Sequence, residues 1–213
     1  MPLHIHTFVF NDFGVNTYVL EADNRECIIV DAACHSANEE ATLSGFISSK
    51  KLKPILHIST HPHIDHILGS AFIKREYNIP WLMHAEGTTL LKQSPMFASM
   101  FGLELSEINL PDRFISDNEK IDIGDSVCEI LFTPGHAPGS VCLYFAAEKL
   151  VITGDVLFCG SIGRTDLPGG NTQTLLNSIA EKLLVLPNDT KVYPGHGPTS
   201  TIGSEKNENP YLM

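Results

Sequence analysis

The sequence predicts a mixed α/β fold, classed as α+β or α/β, with two β-sheets packed face to face between outer helices: an αββα sandwich. Strand-like segments dominate each half of the chain, and each half ends in helical segments. The composition is that of a globular protein, with 43% hydrophobic and 18% charged residues. A length of 213 residues favours a single domain over residues 1–213. The pattern of elements alone does not settle the four layers, which depend on the motifs described below.

The first half of the chain predicts five strands and three helices. Asn, Asp and Gly residues separate the first strands, and an apolar face formed by Leu43, Phe46 and Ile47 marks the first helix. In chain order the elements are strands Ile5–Phe10, Val15–Glu21 and Glu26–Asp31, helix Ala37–Ser49, strand Pro54–Ile58, helix Ile67–Tyr77, strand Trp81–His84 and helix Ala85–Lys92. The Met- and Phe-containing segment Ser94–Leu110 is not assigned. A lid, core packing or an oligomer contact explains its apolar stretch Met96–Phe101 equally well.

The second half repeats this pattern of strands followed by a helix. Its elements are strands Glu119–Ile123, Val127–Thr133, Gly139–Phe145 and Leu150–Thr153, helix Thr172–Leu184 and strand Thr190–Tyr193.

Charge and cysteine content exclude several classes of protein. Twenty-five acidic and 14 basic residues give a net charge of −11, which repels phosphate backbones, so we expect no nucleic-acid partner. No apolar run approaches the roughly 18 residues of a membrane span, and no secretory signal precedes the first strand. The five cysteines are scattered and never spaced as CxxC, which argues against a disulfide framework. We therefore expect a cytoplasmic protein with no membrane partner, and the oligomeric state stays open.

A dense group of histidines follows the predicted strand Pro54–Ile58. His61, His63, Asp65 and His66 lie within six positions, and imidazole and carboxylate are the ligands that zinc prefers. Alternate residues at a strand end share a face, so His61 and His63 point to the same side. Helix capping could use Asp65 but does not explain three histidines. The cluster therefore predicts a metal site.

One short loop has too few ligands to complete two metal sites, so distant ligands are expected. Three later turns each follow an apolar strand and place a glycine directly before a polar residue, which lets the backbone turn sharply. These polar residues are His136, Asp155 and His196.

The series His61-x-His63-x-Asp65-His66, then His136, Asp155 and His196, resembles the five-motif signature of the metallo-β-lactamase superfamily. The resemblance runs from about Thr7 to the C-terminus and implies the four-layer αββα sandwich. It also implies two divalent metal ions, most often zinc, with iron or manganese in mixed sites. By this resemblance His61, His63 and His136 hold one metal, Asp65, His66 and His196 hold the second, and Asp155 bridges them.

The resemblance further implies a metal-bridging hydroxide as the nucleophile, oriented by Asp65 as the catalytic residue. Class B β-lactamases commonly carry a Cys in the second metal site. Asp155 therefore favours the thioesterase, lactonase and phosphodiesterase branches, and the charge argues against the RNA-processing phosphodiesterases.

The run Ser161–Asp166 and the tail after His196 resemble short, single-domain glyoxalase II-like hydrolases. Such a protein cleaves a small-molecule thioester similar to S-lactoylglutathione. Full-length enzymes carry an extra helical C-terminal domain that binds glutathione, which we expect this chain to lack. The same run also resembles the persulfide dioxygenases, in which one iron is held by positions matching His61, His136 and Asp155. Arg164 is interpreted as a supporting residue paired with an acid of the metal loop, or as a surface arginine.

Overall fold

The computed structural model describes residues 3–103, 105 and 109–213, and it has the predicted mixed α/β architecture. The first sheet has six strands in the order β1-β2-β3-β4-β5-β6. Strands β1 to β3 are antiparallel, whereas β3 to β6 are parallel. The strands are β1 His4–Phe10, β2 Val15–Glu21, β3 Glu26–Val30, β4 Lys53–Ile58, β5 Trp81–His84 and β6 Arg113–Ile115.

The second sheet also has six strands, in the order β14-β13-β10-β9-β8-β7. Within it β10 and β13 are parallel, and β9 is antiparallel to both β8 and β10. The strands are β7 Lys120–Ile123, β8 Ser126–Phe132, β9 Val141–Phe145, β10 Leu150–Gly154, β13 Lys191–Pro194 and β14 Ser200–Thr201. A small hairpin of β11 Leu157–Phe158 and β12 Ser161–Ile162 follows β10.

Six α-helices complete the described part of the chain. They are α1 Ala37–Ser49, α2 Ile64–Ile67, α3 Ser70–Tyr77, α4 Thr88–Met100, α5 Thr172–Ser178 and α6 Ile202–Glu208. A 3₁₀ turn, Ala85–Gly87, precedes α4, and a π-helical segment, Ile179–Leu183, continues α5. Among the described residues, no helix has the length and apolar character needed to cross a membrane.

Alternating burial along the strands builds the four layers. In β2, Tyr18 and Leu20 belong to the core between the two sheets, whereas Val19 faces outward against α1 and α3. In β8, Ile130 belongs to the same central core, and Leu131 packs outward with α5. Side chains of a strand point to opposite faces in turn, so each sheet supplies one face to the centre and one to its helices.

The predicted helix Ile67–Tyr77 is wrong in its start, because the chain forms α2 and α3 with a break at Gly69. A side chain at Gly69 would lie 2.5 Å from Cys34 Sγ and 2.9 Å from the Ala32 carbonyl oxygen. The Gly69 amide donates to that carbonyl, so the break is where the ligand loop closes onto the end of β3.

The other differences lie at short or late elements. Helix α4 runs to Met100, past the predicted end at Lys92, and takes up the first part of the unassigned 94–110 segment. Residues 104 and 106–108 of that segment lie outside the described residues. Strands β6 and β14 and helix α6 were not predicted, because three, two and seven residues are too short to show a period.

The inter-sheet core gives a direct test of this packing. Ile130→Ala removes a fully buried side chain from β8 and should lower the free energy of unfolding by about 2–5 kcal/mol. Val127→Ala changes a side chain on the same strand that is 43% exposed, and should lower it by about 1 kcal/mol or less. Urea unfolding of the metal-free proteins at one pH measures both, and equal losses would contradict the assignment of faces.

Candidate metal centre

The candidate ligands meet at one edge of the sandwich. His61 and the residues after it follow the carboxyl end of β4 in the first sheet. His136, Asp155 and His196 follow the carboxyl ends of β8, β10 and β13 in the second sheet, and these three strands run in the same direction. Both sheets therefore deliver their loops to the same place, as open α/β sheets do.

The first group consists of three imidazoles. His136 Nε2 lies 3.3 Å from His61 Nε2 and 2.8 Å from His63 Nδ1. His61 and His136 are buried, and His63 is half-buried. Their ligand atoms all lie within 4.8 Å of one another, a spacing that one cation could span.

The second group combines two imidazoles with a carboxylate. His66 Nε2 lies 3.3 Å from His196 Nε2 and 3.6 Å from Asp65 Oδ2, and His196 Nε2 lies 3.4 Å from that same oxygen. His66 is fully buried, whereas the side chain of His196 is 28% exposed. This second group therefore opens to solvent on the side of His196.

The carboxylate of Asp155 lies between the two groups. Its Oδ2 is 3.6 Å from His136 Nε2 of the first group and 3.5 Å from His196 Nε2 of the second. Its Oδ1 is 3.3 Å from His66 Nε2, is buried, and makes no hydrogen bond. All seven residues singled out from the sequence are thus brought together.

The chemistry of this donor set fits divalent cations. His61 and His136 each donate from Nδ1, to the Thr60 hydroxyl and to the Arg164 carbonyl, so each presents a lone pair at Nε2. These two Nε2 atoms face each other at 3.3 Å and would repel without a cation between them. Asp155 Oδ1 is buried and makes no hydrogen bond. Because buried polar atoms ordinarily have a partner, this oxygen also indicates a cation site. The residues fit two cations that share Asp155.

Comparison with known proteins agrees with this arrangement. The family described as the metallo-beta-lactamase superfamily matches residues 10–196. The chain belongs to that superfamily. The fold of this family implies divalent metal ions held by histidine and aspartate.

Two curated relatives cover most of the chain. A "probable metallo-hydrolase YqgX" of Bacillus subtilis is 40% identical over 199 residues, which are 92% of each chain. The "hydroxyacylglutathione hydrolase GloC" of Haemophilus influenzae is 34% identical over 212 residues, covering 99% of this chain and 98% of the relative.

Two solved structures are also similar. The crystal structure of the BLEG-1 B3 metallo-beta-lactamase has a TM-score of 0.91 and 33% identity, over 99% of this chain and all of that one. The crystal structure of TTHA1623 in a di-iron-bound form has a TM-score of 0.88 and 30% identity, over 97% of this chain and all of that one. The first likeness supports the four-layer fold, and the second shows a related protein that holds two iron ions.

Asp31 directly follows β3 and orients one histidine of each ligand group, His61 and His66. It was not among the residues singled out from the sequence. Its carboxylate is buried and accepts hydrogen bonds from the Thr60 amide (2.7 Å), the Thr60 hydroxyl (2.7 Å) and His66 Nδ1 (3.0 Å). Since the Thr60 hydroxyl donates to Asp31, its oxygen accepts from His61 Nδ1 at 3.0 Å. Asp31 therefore turns the Nε2 atoms of both His61 and His66 toward the centre.

Backbone carbonyls orient two further histidines. His136 Nδ1 donates to the Arg164 carbonyl oxygen at 2.8 Å, and His196 Nδ1 donates to that of Phe13 at 3.0 Å. Of the two interpretations of Arg164, the pairing with an acid of the metal loop is wrong and the surface arginine is confirmed. Its guanidinium is exposed and forms two 2.7 Å hydrogen bonds with Asp166, so Arg164 contacts the site through its carbonyl.

Helix α6 and the residue after it hold the β11–β12 hairpin, which leads to the Arg164 carbonyl. The buried Glu205 carboxylate accepts from the Gly160 amide at 3.0 Å and from Asn209 Nδ2 at 2.7 Å. Asn209 Nδ2 also donates to the Ser161 carbonyl oxygen at 3.1 Å. The tail after His196 thus braces the β11–β12 turn just before Arg164, a contact that no sequence motif signals.

Gly195 is required by the close approach of the ligands. A Cβ at this position would lie 2.2 Å from Asp155 Oδ1 and 2.8 Å from His66 Cε1. Any side chain there would displace the carboxylate that lies between the two groups.

The electrostatics of the two groups differ. Burial lowers the pKa of His61 well below its usual value, and burial followed by the facing His136 lowers that of His63 to about 4. Burial also acts to lower the pKa of His66 and His196, but facing carboxylates outweigh it. Asp155, Asp65 and Asp31 raise the pKa of His66 well above its usual value, and Asp155 and Asp65 raise that of His196 to about 9.

Cation binding should therefore release protons. Both His66 and His196 carry a proton in the metal-free protein below their raised pKa values, and a ligating imidazole must lose it. We expect the apparent affinity for zinc to fall as the pH drops from 9 to 6, by at least about tenfold per pH unit. Titration calorimetry in buffers of different ionisation enthalpy counts the protons, and an enthalpy independent of the buffer would contradict this expectation.

Asp31→Asn tests the support of the ligands. An amide nitrogen in place of Oδ2 would face the Thr60 hydroxyl and His66 Nδ1, which are both donors, so both ligand groups should lose their orientation. We expect zinc affinity to fall by about 10–100-fold, measured by competition with a chromophoric chelator. Asp189→Asn is the matched control, since Asp189 forms an exposed ion pair with Lys149 and should leave affinity unchanged.

Proposed function

We propose that this metal-dependent hydrolase is a binuclear enzyme of the glyoxalase II type, which cleaves a thioester to the free acid and the thiol. The observation that carries the proposal is the position of Asp155, whose two oxygens face both ligand groups at 3.3–3.6 Å. This placement supports two cations close together in one site, held by His61, His63 and His136 on one side and by Asp65, His66 and His196 on the other.

A similar protein supports the choice of a thioester. The hydroxyacylglutathione hydrolase of H. influenzae is 34% identical and matches nearly its whole length. We propose zinc as the metal, with iron or manganese as the other candidates, and the di-iron neighbour gives iron particular weight.

When bound, two divalent cations would lower the pKa of a water toward neutrality and polarise the thioester carbonyl. The residues of the chain supply position and charge. Burial raises the pKa of Asp65, but His66 and His196 outweigh it and lower the pKa, so the carboxylate stays ionised. An ionised Asp65 can accept a hydrogen bond from the attacking water and orient it, which makes Asp65 the proposed catalytic residue. The exposed edge of His196 gives a small substrate access to this carboxylate.

We also propose a cytoplasmic setting and a small-molecule substrate. All five cysteines are free, and four of them are buried, which fits a reducing compartment. The net charge of −11 favours a small molecule over a nucleic acid.

Two rival activities define the experiment. A persulfide dioxygenase would need one iron and would consume oxygen. A β-lactamase is the second rival, because the B3 metallo-beta-lactamase is 33% identical over almost the whole chain. The separation from the β-lactamases that Asp155 favours stays a prediction, which the cephalosporin assay below tests.

The test compares three substrates on protein reconstituted with zinc or with iron. S-Lactoylglutathione, a chromogenic cephalosporin and glutathione persulfide report thioester cleavage, β-lactam cleavage and oxygen uptake. We expect thioester cleavage with two metal equivalents per chain, and its loss in Asp155→Ala. Oxygen uptake with one iron and no thioester cleavage would overturn the proposal, as would cephalosporin cleavage alone.

A further inference from the structure

An aromatic pair forms at the turn whose backbone contacts His196 of the second ligand group. The rings of Phe13 and Phe101 meet edge to face, with centroids 5.4 Å apart and planes at 89°. Phe13 lies in the turn between β1 and β2, and Phe101 follows the last residue of α4. The two rings thus come from segments far apart in the chain.

Hydrogen bonds fix the Phe13 turn to the ligands. The Phe13 carbonyl oxygen accepts from His196 Nδ1 at 3.0 Å. At the start of the same turn, Asn11 Nδ2 donates to the Asp65 carbonyl oxygen at 2.9 Å and to that of Ala33 at 3.0 Å. The turn is therefore held against both solvent-facing ligands of the second group.

Packing holds the end of α4, which leads to Phe101, against helix α2. Ala98 of α4 is fully buried against Ile64 of α2 and Leu68, and α2 carries Asp65 and His66. The Phe101 amide donates to the Ala98 carbonyl oxygen at 3.0 Å, so Phe101 lies one turn beyond this contact.

Both rings remain open to solvent. Phe13 is 38% exposed and Phe101 is 59% exposed, and the His196 side chain, which contacts the Phe13 carbonyl, is 28% exposed. A third ring, that of Phe158 on β11, lies 6.3 Å from the His196 ring. Apolar surface that borders a polar site is a common feature of pockets for small molecules, where it removes the apolar part of a ligand from water.

We propose that Phe13 and Phe101 form a subsite that binds a hydrophobic group of the substrate, so that the enzyme prefers thioesters carrying an alkyl or aryl group. This inference rests on the proposed thioester hydrolysis. The hydrophobic group can belong to the acyl part or to the thiol part, and both present the same chemistry to the rings. Phe13 and Phe101 act by holding this group while the thioester carbonyl lies at the ligands.

The test uses two series of thioesters. In the first, the acyl group of a glutathione thioester grows from acetyl to butanoyl to hexanoyl. In the second, the thiol of an acetyl thioester grows by the same steps. For the series that uses the subsite, kcat/KM should rise by about twofold to fourfold per methylene, through a lower KM.

Phe101→Ala and Phe13→Ala should each reduce that slope, with about a tenfold loss for the longest substrate and less than about a twofold loss for the acetyl ester. Phe13→Leu should restore part of the slope, because it keeps an apolar side chain. Phe114→Ala is the matched control, since Phe114 is a phenylalanine 48% exposed on strand β6, and it should leave the slope unchanged. Wild-type protein with no slope in either series, or variants with the wild-type slope, would overturn the inference.

A binding measurement separates this inference from the proposed function. S-Methylglutathione and S-hexylglutathione are thioethers that cannot be hydrolysed, and calorimetry on the metal-loaded protein gives their affinities. Tighter binding of the hexyl compound that is lost in Phe101→Ala supports the subsite even if no thioester is cleaved. Equal binding of both compounds, together with no slope in the thiol series, would overturn it. A homodimer that Phe101→Ala dissociates would also overturn it, because the rings would then belong to an interface.

Discussion

A single buried carboxylate orients the two halves of the metal centre. Asp31 accepts three hydrogen bonds, two from Thr60 and one from His66, and through the Thr60 hydroxyl it also fixes the ring of His61. A buried carboxylate with donors on both oxygens is stable only while those donors stay in place. The end of β3, the start of the ligand loop and helix α2 are therefore locked to one another. Gly69, which closes the loop onto Ala32, belongs to the same constraint.

Backbone atoms orient the ligands that the second sheet supplies. His136 and His196 are held by the carbonyls of Arg164 and Phe13, and Gly195 leaves room for the Asp155 carboxylate. Carbonyl acceptors depend on the path of the chain and not on the identity of the residue. The conformation of the β1–β2 turn and of the β11–β12 hairpin therefore matters as much as the ligands themselves. Glu205 of helix α6 and Asn209, directly after it, hold the β11–β12 hairpin through hydrogen bonds.

The sequence predicted the strands and the seven candidate ligands because both carry strong local signals. Apolar alternation marks the strands, and glycine followed by histidine or aspartate marks the turns. Asp31 gave no such signal, because one aspartate at a strand end is common and its three donors lie 29 and 35 positions away. For the Arg164 side chain the surface interpretation is confirmed, whereas the contact with the site is made by the carbonyl, which the residue type does not report. Helix α6 and the aromatic pair depend on tertiary contacts between distant segments, which periodicity does not report.

The division of the ligands between the two sheets has a consequence for the lifetime of the folded state. His61, His63, Asp65 and His66 follow strands of the first sheet, whereas His136, Asp155 and His196 follow strands of the second. A cation held by both sets would join the sheets as a cross-link that closes a long loop of chain. Separation of the sheets would then require metal bonds to break first, so the cation would slow unfolding more than it speeds folding. Resistance to proteolysis and to heat would accordingly follow the rate of metal release.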